Sequence, residues 1–178
     1  LRGDTPPMLA GEDTPAECLL EETLPAGTIP APFTENHDTG RTVGFTGRSN
    51  PDKTKIAFGL LALMRGDLFI YYGQEIGMVG SGDDPNKRLA MYWSEDDMTE
   101  QPPGVTAVEY PYPSVEEQLA DTDSLLNYVK AVNRARLENP AIADGANEWV
   151  PDDPRHLRAT RGGTPNLFLE HAGDDYVE

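Results

Sequence analysis

The stretch Asn50-Pro-Asp-Lys-Thr-Lys-Ile-Ala-Phe-Gly-Leu-Leu-Ala-Leu-Met-Arg-Gly-Asp-Leu-Phe-Ile-Tyr-Tyr-Gly73 decides the fold. Its first part predicts a helix over 52–65, with apolar positions at Ile56, Leu60, Leu63 and Met64. Asn50 is placed to cap it, Pro51 suits its first turn and Gly66 lies just past its end. The five residues Leu68–Tyr72 then form a short unbroken apolar run closed by Gly73, the pattern of a strand buried on both faces of a parallel sheet. A helix followed at once by such a strand is half of a βαβ unit.

Upstream, Thr28–Thr34 (Thr-Ile-Pro-Ala-Pro-Phe-Thr) predicts the preceding strand. Pro30 and Pro32 sit two residues apart and both lack an N–H, so one side of that strand is expected to be poorly paired. Downstream, residues 73–123 carry a net charge of −10 out of −17 for the chain and show no sustained period. They read as one long solvated excursion. A second helix is predicted over 122–138, with Leu125, Val129 and Val132 on one face, Asp121 or Thr122 at its start and Asn139-Pro140 as its stop. From Glu148 onward, runs such as His156–Thr160 and Asn166–His171 predict antiparallel strands of a different module.

Composition bounds the function. The 178 residues fall well short of the roughly 250 of a complete (β/α)₈ barrel. A net charge of −17 and a pI near 4.4 would repel phosphate backbones and anionic lipid, so no nucleic-acid partner is expected. No apolar run approaches the roughly 20 residues of a membrane span, so no membrane partner is expected either. A single cysteine, Cys18, excludes an internal disulfide and any Cys-rich metal site. The polar opening at Leu1 reads as a cut N-terminus rather than a signal peptide, and the compartment stays open.

Chemistry concentrates in Glu35-Asn36-His37-Asp38 with Arg41, immediately after the first predicted strand, where loops at the carboxyl ends of parallel strands build active sites. A carboxylate beside an imidazole can bind adjacent sugar hydroxyls, one accepting and the other donating. On the residues alone the same pattern also fits an Asx-turn with a surface histidine.

Taken in order, Phe33-Thr-Glu-Asn-His-Asp-Thr-Gly-Arg41, the helix at 52–65, Asp67-Leu-Phe-Ile-Tyr-Tyr-Gly-Gln-Glu-Ile-Gly-Met78, Met91-Tyr-Trp-Ser94 and Asp123 through Pro140 resemble the α-amylase family, glycoside hydrolase family 13. The resemblance implies an α/β fold, the C-terminal part of a TIM (β/α)₈ barrel from strand 7 to helix 8, followed by the beginning of an antiparallel β-sandwich domain. It divides the chain into an irregular or helical lead-in over 1–27, the barrel section over 28–145 and the start of the β domain over 146–178. Residues 33–41 correspond to the family's fourth conserved region. Loop motifs tilt the resemblance toward oligosaccharide-cleaving, α-glucosidase-like members.

The resemblance further implies that Asp38 is the acid that stabilises the transition state and grips the 2- and 3-hydroxyls of the glucosyl unit. His37, Asn36, Arg41 and Arg88 are its candidate substrate-binding residues. A retaining mechanism needs two more carboxyls about 5–5.5 Å apart, a nucleophile and a general acid. Residues 1–27 are too short to supply the two further strands and helices that carry these acids in the family, so the chain alone is expected to be inactive. The expected substrate of the full-length protein is an α-glucan or α-linked oligosaccharide. The alternative is a non-catalytic, amylase-like interaction module, which retention of Asn36-His37-Asp38 disfavours.

Where the family often has Gly-Glu-Glu after strand 8, this chain has Gly73-Gln74-Glu75, and Glu75 reads as structural. Tyr71, Tyr72 and Trp93 read as packing residues before sugar platforms. No cofactor is expected. Calcium occurs in many family members, but its usual ligands are not identifiable here, and Asp83 and Asp84 read as solvated acidity. Two barrel strands leave open edges, so either self-association through them or a rearranged packing of the two helices over the exposed sheet is expected.

Overall fold

The structure is a computed structural model. It describes residues 25–46 and 50–145, and the backbone of strands at 147–149, 156–161, 164–172 and 175–177. Cys18 and most of the 1–27 lead-in lie outside the described residues.

The first predicted helix is present as α2, Pro51–Ala62, after a five-residue helix α1, Thr42–Thr46. Asn50 caps α2 as its sequence position predicts, its Oδ1 accepting the Lys53 N–H at 3.1 Å. The helix ends at Ala62 rather than 65, and a side chain from elsewhere takes carbonyls at and beyond that end. The buried Arg136 guanidinium donates to the carbonyls of Ala62 at 2.6 Å, Met64 at 2.7 Å and Gly66. These bonds satisfy orphan acceptors that another helical turn would have used.

Arg136 lies on α4, Leu125–Glu138, the second predicted helix. Its cap is Ser124, whose hydroxyl accepts the Asn127 N–H at 3.2 Å, not Asp121 or Thr122. Asp121 instead folds the preceding turn, its Oδ1 accepting the Asp123 N–H at 2.9 Å. The stop at Asn139-Pro140 is as predicted. A short helix α5, Ala141–Asp144, follows.

The two predicted barrel strands are extended but not paired into a regular ladder. Asp67 N–H donates to Pro30 O at 2.8 Å and Phe69 N–H donates to Pro32 O at 3.1 Å, a parallel register. The return bond between these two would come from the backbone nitrogen of residue 32, and the one before them from that of residue 30, and both are prolines. Pairing is therefore one-sided, as the two prolines predict. Leu68 packs on Phe58 and Ala62 of α2 and on Leu125 and Val129 of α4, the helix layer over these segments.

The largest correction concerns residues 73–123. They are not a solvated excursion: Ile76, Met78, Leu89 and Leu126 form a second buried cluster, against which Met91, Tyr92, Val105, Tyr110 and Val115 pack. The segment contains 3₁₀ turns at Gln74–Ile76 and Asp84–Lys87 and a helix α3, Val115–Ala120. Ser114 and Glu117 close a capping box at its start. Gln118, 1% exposed, donates to Ile76 O and Pro113 O and accepts the Leu126 N–H, tying the segment to α4. Apolar residues spaced irregularly along turns bury as well as periodic ones, and leave no period to read.

From Asn147 the backbone forms a four-stranded antiparallel meander in the order β1 (Asn147–Trp149), β2 (His156–Arg161), β3 (Thr164–Ala172) and β4 (Asp175–Val177). A register shift lies between Ala159 and Thr160. Both runs expected to be strands are strands.

Candidate active site

Three segments meet at the carboxyl ends of the two extended stretches: residues 34–42, the turn at Tyr72–Ile76, and the 3₁₀ turn with Lys87 and Arg88. Local chemistry shapes the first. Asn36 Oδ1 accepts the N–H groups of Asp38 at 2.8 Å and Thr39 at 2.9 Å, while Asn36 N–H donates to Thr39 Oγ1 at 2.9 Å. This is an Asx-turn. Asn36 thus folds the loop through its Oδ1 and backbone N–H.

The turn leaves His37 and Asp38 side by side in solvent. His37 Nε2 is 3.1 Å from Asp38 Oδ2, and the side chains are 60% and 63% exposed. Asp38 Oδ1 lies 3.4 Å from Arg88 Nη2, which also approaches Asp84 Oδ2 at 3.3 Å. Lys87 Nζ donates to the Asp38 carbonyl at 2.8 Å and to Asp84 Oδ1 at 3.0 Å. Lys87 and Arg88 together hold Asp84 below its ordinary carboxyl range. The Asp84–Arg88 turn is thus fastened to the His37–Asp38 loop, and an imidazole, a carboxylate and a guanidinium converge on one open face. Such a set can accept from and donate to neighbouring hydroxyls.

Arg41 is elsewhere. Expected at the substrate, it is 1% exposed, with Nη1 2.8 Å from Glu35 Oε1 and 2.6 Å from Tyr72 O, and Nε 3.1 Å from Lys87 O. Its guanidinium carbon lies 4.2 Å from the Tyr71 ring centre and 4.9 Å from that of Tyr72. Burial puts it out of reach of a sugar, and the two tyrosines cover it. Tyr72 OH donates to Leu89 O at 2.8 Å, and burial raises its pKa. Glu35, 2% exposed, also accepts the Thr42 N–H at 2.6 Å, capping α1. Read from residue type alone, Glu35 has no role apart from its place in the polar cluster. Its distance of six residues from an arginine in one loop was the available signal.

Glu75 is partly buried and its pKa is raised, first by desolvation, while N–H groups of its own residue and Gly73 oppose the shift. Trp93 is 49% exposed, less a plug over the core than its sequence reading suggested. Among the described residues no three His, Cys, Asp or Glu side chains gather as a metal site, and no helix is long and apolar enough to cross a membrane.

Comparison with known proteins places this geometry. The profile of the α-amylase catalytic domain matches residues 19–145. The α-amylase SusG of Bacteroides thetaiotaomicron is 37% identical over 120 residues, 66% of this chain and 17% of that protein. A 4-α-glucanotransferase of Thermotoga maritima is 30% identical over 139 residues, 72% of this chain and 31% of that protein. The solved structure of Eubacterium rectale Amy13B superposes with a TM-score of 0.76 at 34% identity, over 83% of this chain and 31% of the other. The chain thus spans less than a third of the length of these relatives. It belongs to the α-amylase family, glycoside hydrolase family 13, and its fold is a C-terminal section of that family's (β/α)₈ barrel followed by antiparallel strands.

Proposed function

We propose that this chain carries the sugar-gripping part of a retaining α-glycosidase site, with Asp38 as the transition-state-stabilising acid and His37 as its partner on the same glucosyl unit. Arg88, beside Asp38 and two-fifths exposed, is the third contact. The observation that carries the reading is the exposed His37–Asp38 pair at 3.1 Å. An oxocarbenium-like transition state gains from a carboxylate held beside it, and hydroxyls gripped by the pair orient the ring. The relatives include α-amylases and a glucanotransferase, so the substrate class is an α-linked glucan or oligosaccharide, with water or a sugar hydroxyl as acceptor.

The chain by itself breaks no glycosidic bond. On these three segments Glu35 is closed by Arg41 and Asp84 is held by Lys87 and Arg88, which leaves Glu75 beside Asp38 and not the pair of further carboxyls that a retaining mechanism needs. Nuclear magnetic resonance of the chain with maltotriose tests the binding. Signals of His37 and Asp38 are expected to move, and Asp38→Asn is expected to weaken the affinity about tenfold or more. Unmoved signals sink the sugar reading, and reducing-sugar release that Asp38→Asn abolishes sinks the inactivity.

Ile29, Phe33 and Phe69 on the two extended segments are 64%, 53% and 61% exposed, which supports self-association of this chain through those segments. Sedimentation over a concentration series is expected to show it, and a monomer throughout would exclude it.

A further inference from the structure

We propose that Glu35 and Arg41 are positioning residues for the His37–Asp38 loop, fixing where both groups stand without touching a sugar. The inference rests on the reading of Asp38 as the sugar-gripping acid. The two partners bracket the loop, one immediately before Asn36 and one immediately after Gly40, and their 2.8 Å ion pair closes it at its base with side chains 1% and 0% exposed.

The Asx-turn made by Asn36 fixes the loop only relative to itself. Arg41 fixes it relative to the rest of the site. Besides Glu35, its guanidinium bonds Tyr72 O, at the end of the second extended segment, and Lys87 O, on the turn that carries Arg88. Its backbone N–H donates to Gly80 O at 2.9 Å. One buried side chain thus joins all three segments that converge on Asp38, and Lys87 returns the connection through its bond to the Asp38 carbonyl. The acceptors lie in different directions from a planar cation stacked on two tyrosine rings, an arrangement the single point charge of lysine does not reproduce. Glu35 completes it through a second bond, to the Thr42 N–H that opens α1.

The test uses the 178-residue chain with Arg41→Lys, Glu35→Gln, Asp38→Asn and, as control, Arg136→Lys, which alters a buried arginine in the helix layer. Two quantities are read: the ¹⁵N resonance of His37 Nε2 and the backbone order parameters of residues 36–39. In Arg41→Lys and Glu35→Gln the resonance is expected to move more than half of the way to its value in Asp38→Asn. The order parameters are expected to fall from a rigid value of about 0.85 to below about 0.6. Arg136→Lys is expected to leave both unchanged while lowering the melting temperature.

Folded Arg41→Lys and Glu35→Gln variants with wild-type resonance and order parameters overturn the proposal. An equal change in Arg136→Lys also overturns it, because the effect would then be general loosening. Should Arg41→Lys fail to fold, Glu35→Gln alone decides. A His37 resonance indifferent to Asp38→Asn counts against the paired grip instead, and positioning is then judged on the order parameters.

Discussion

Arg41 and Glu35 form an ion pair of 2.8 Å from which solvent is excluded, whereas each of the other described ion pairs at the site has an exposed carboxylate. Its energetics differ from those of a surface pair. Two charges withdrawn from water gain little net stability from meeting, but removing one strands the other in a medium that solvates it poorly.

Arg41→Met is therefore expected to cost about 3–5 kcal/mol in urea unfolding. The double variant Glu35→Leu/Arg41→Met is expected to recover part of that by removing the stranded carboxylate. It should not recover all, because the Thr42 N–H and the carbonyls of Tyr72 and Lys87 lose their partners. Additive single and double variants would show that the two side chains are not coupled.

Gly66 has φ of +102°, and a Cβ there would lie 2.1 Å from Pro30 O, the acceptor of the Asp67 N–H. Gly66→Ala is expected to cost about 1–3 kcal/mol from the backbone conformation alone, with further loss from the displaced pairing of the two extended segments. A thermal midpoint equal to wild type would refute this.

Ser114→Ala removes the hydroxyl that caps α3 and is expected to cost about 1 kcal/mol at neutral pH. The Ser114 backbone N–H and then its hydroxyl hold Glu117 below its ordinary value of 4.5. A depressed carboxyl contributes stability that is present above its unfolded-state pKa and lost as pH falls through the lower folded-state value. The gap between wild type and Glu117→Gln is thus expected to be full above about pH 4.5 and to close on acidification. Stability curves that stay parallel down the acid limb would contradict it.

Glu75 has the opposite sign. Desolvation raises its pKa above the ordinary 4.5, so its contribution is fully present below the unfolded-state pKa and is lost as pH rises through the folded-state one. Glu75→Gln, an isostere that stays neutral and still accepts the Gly73 N–H, is expected to match wild type in acid and to be more stable at neutral pH. A variant less stable than wild type at pH 7 would assign Glu75 a favourable charged partner instead.

Much of this was legible before any coordinates. The helix from Pro51, its Asn50 cap, the stop at Asn139-Pro140 and the one-sided pairing imposed by Pro30 and Pro32 are local consequences of residue type. So is the His37–Asp38 pair, since neighbours in a polar cluster after a strand need no distant partner to stand together. The capping box at Ser114 and Glu117 was equally local, but the irregular segment around it hid the signal.

The short-range elements, the family they resemble and the residues that offer chemistry are therefore written in the order of residues along the chain. Tertiary structure alone decided which polar groups face solvent and which are enclosed. Arg41 and Arg88 are the same residue type near the same loop. One is sealed beneath Tyr71 and Tyr72, while the other stands two-fifths exposed beside Asp38. Burial depends on what packs from 31 and 46 residues away, at Tyr72 and Lys87, and contacts at that separation leave no period or spacing in the chain.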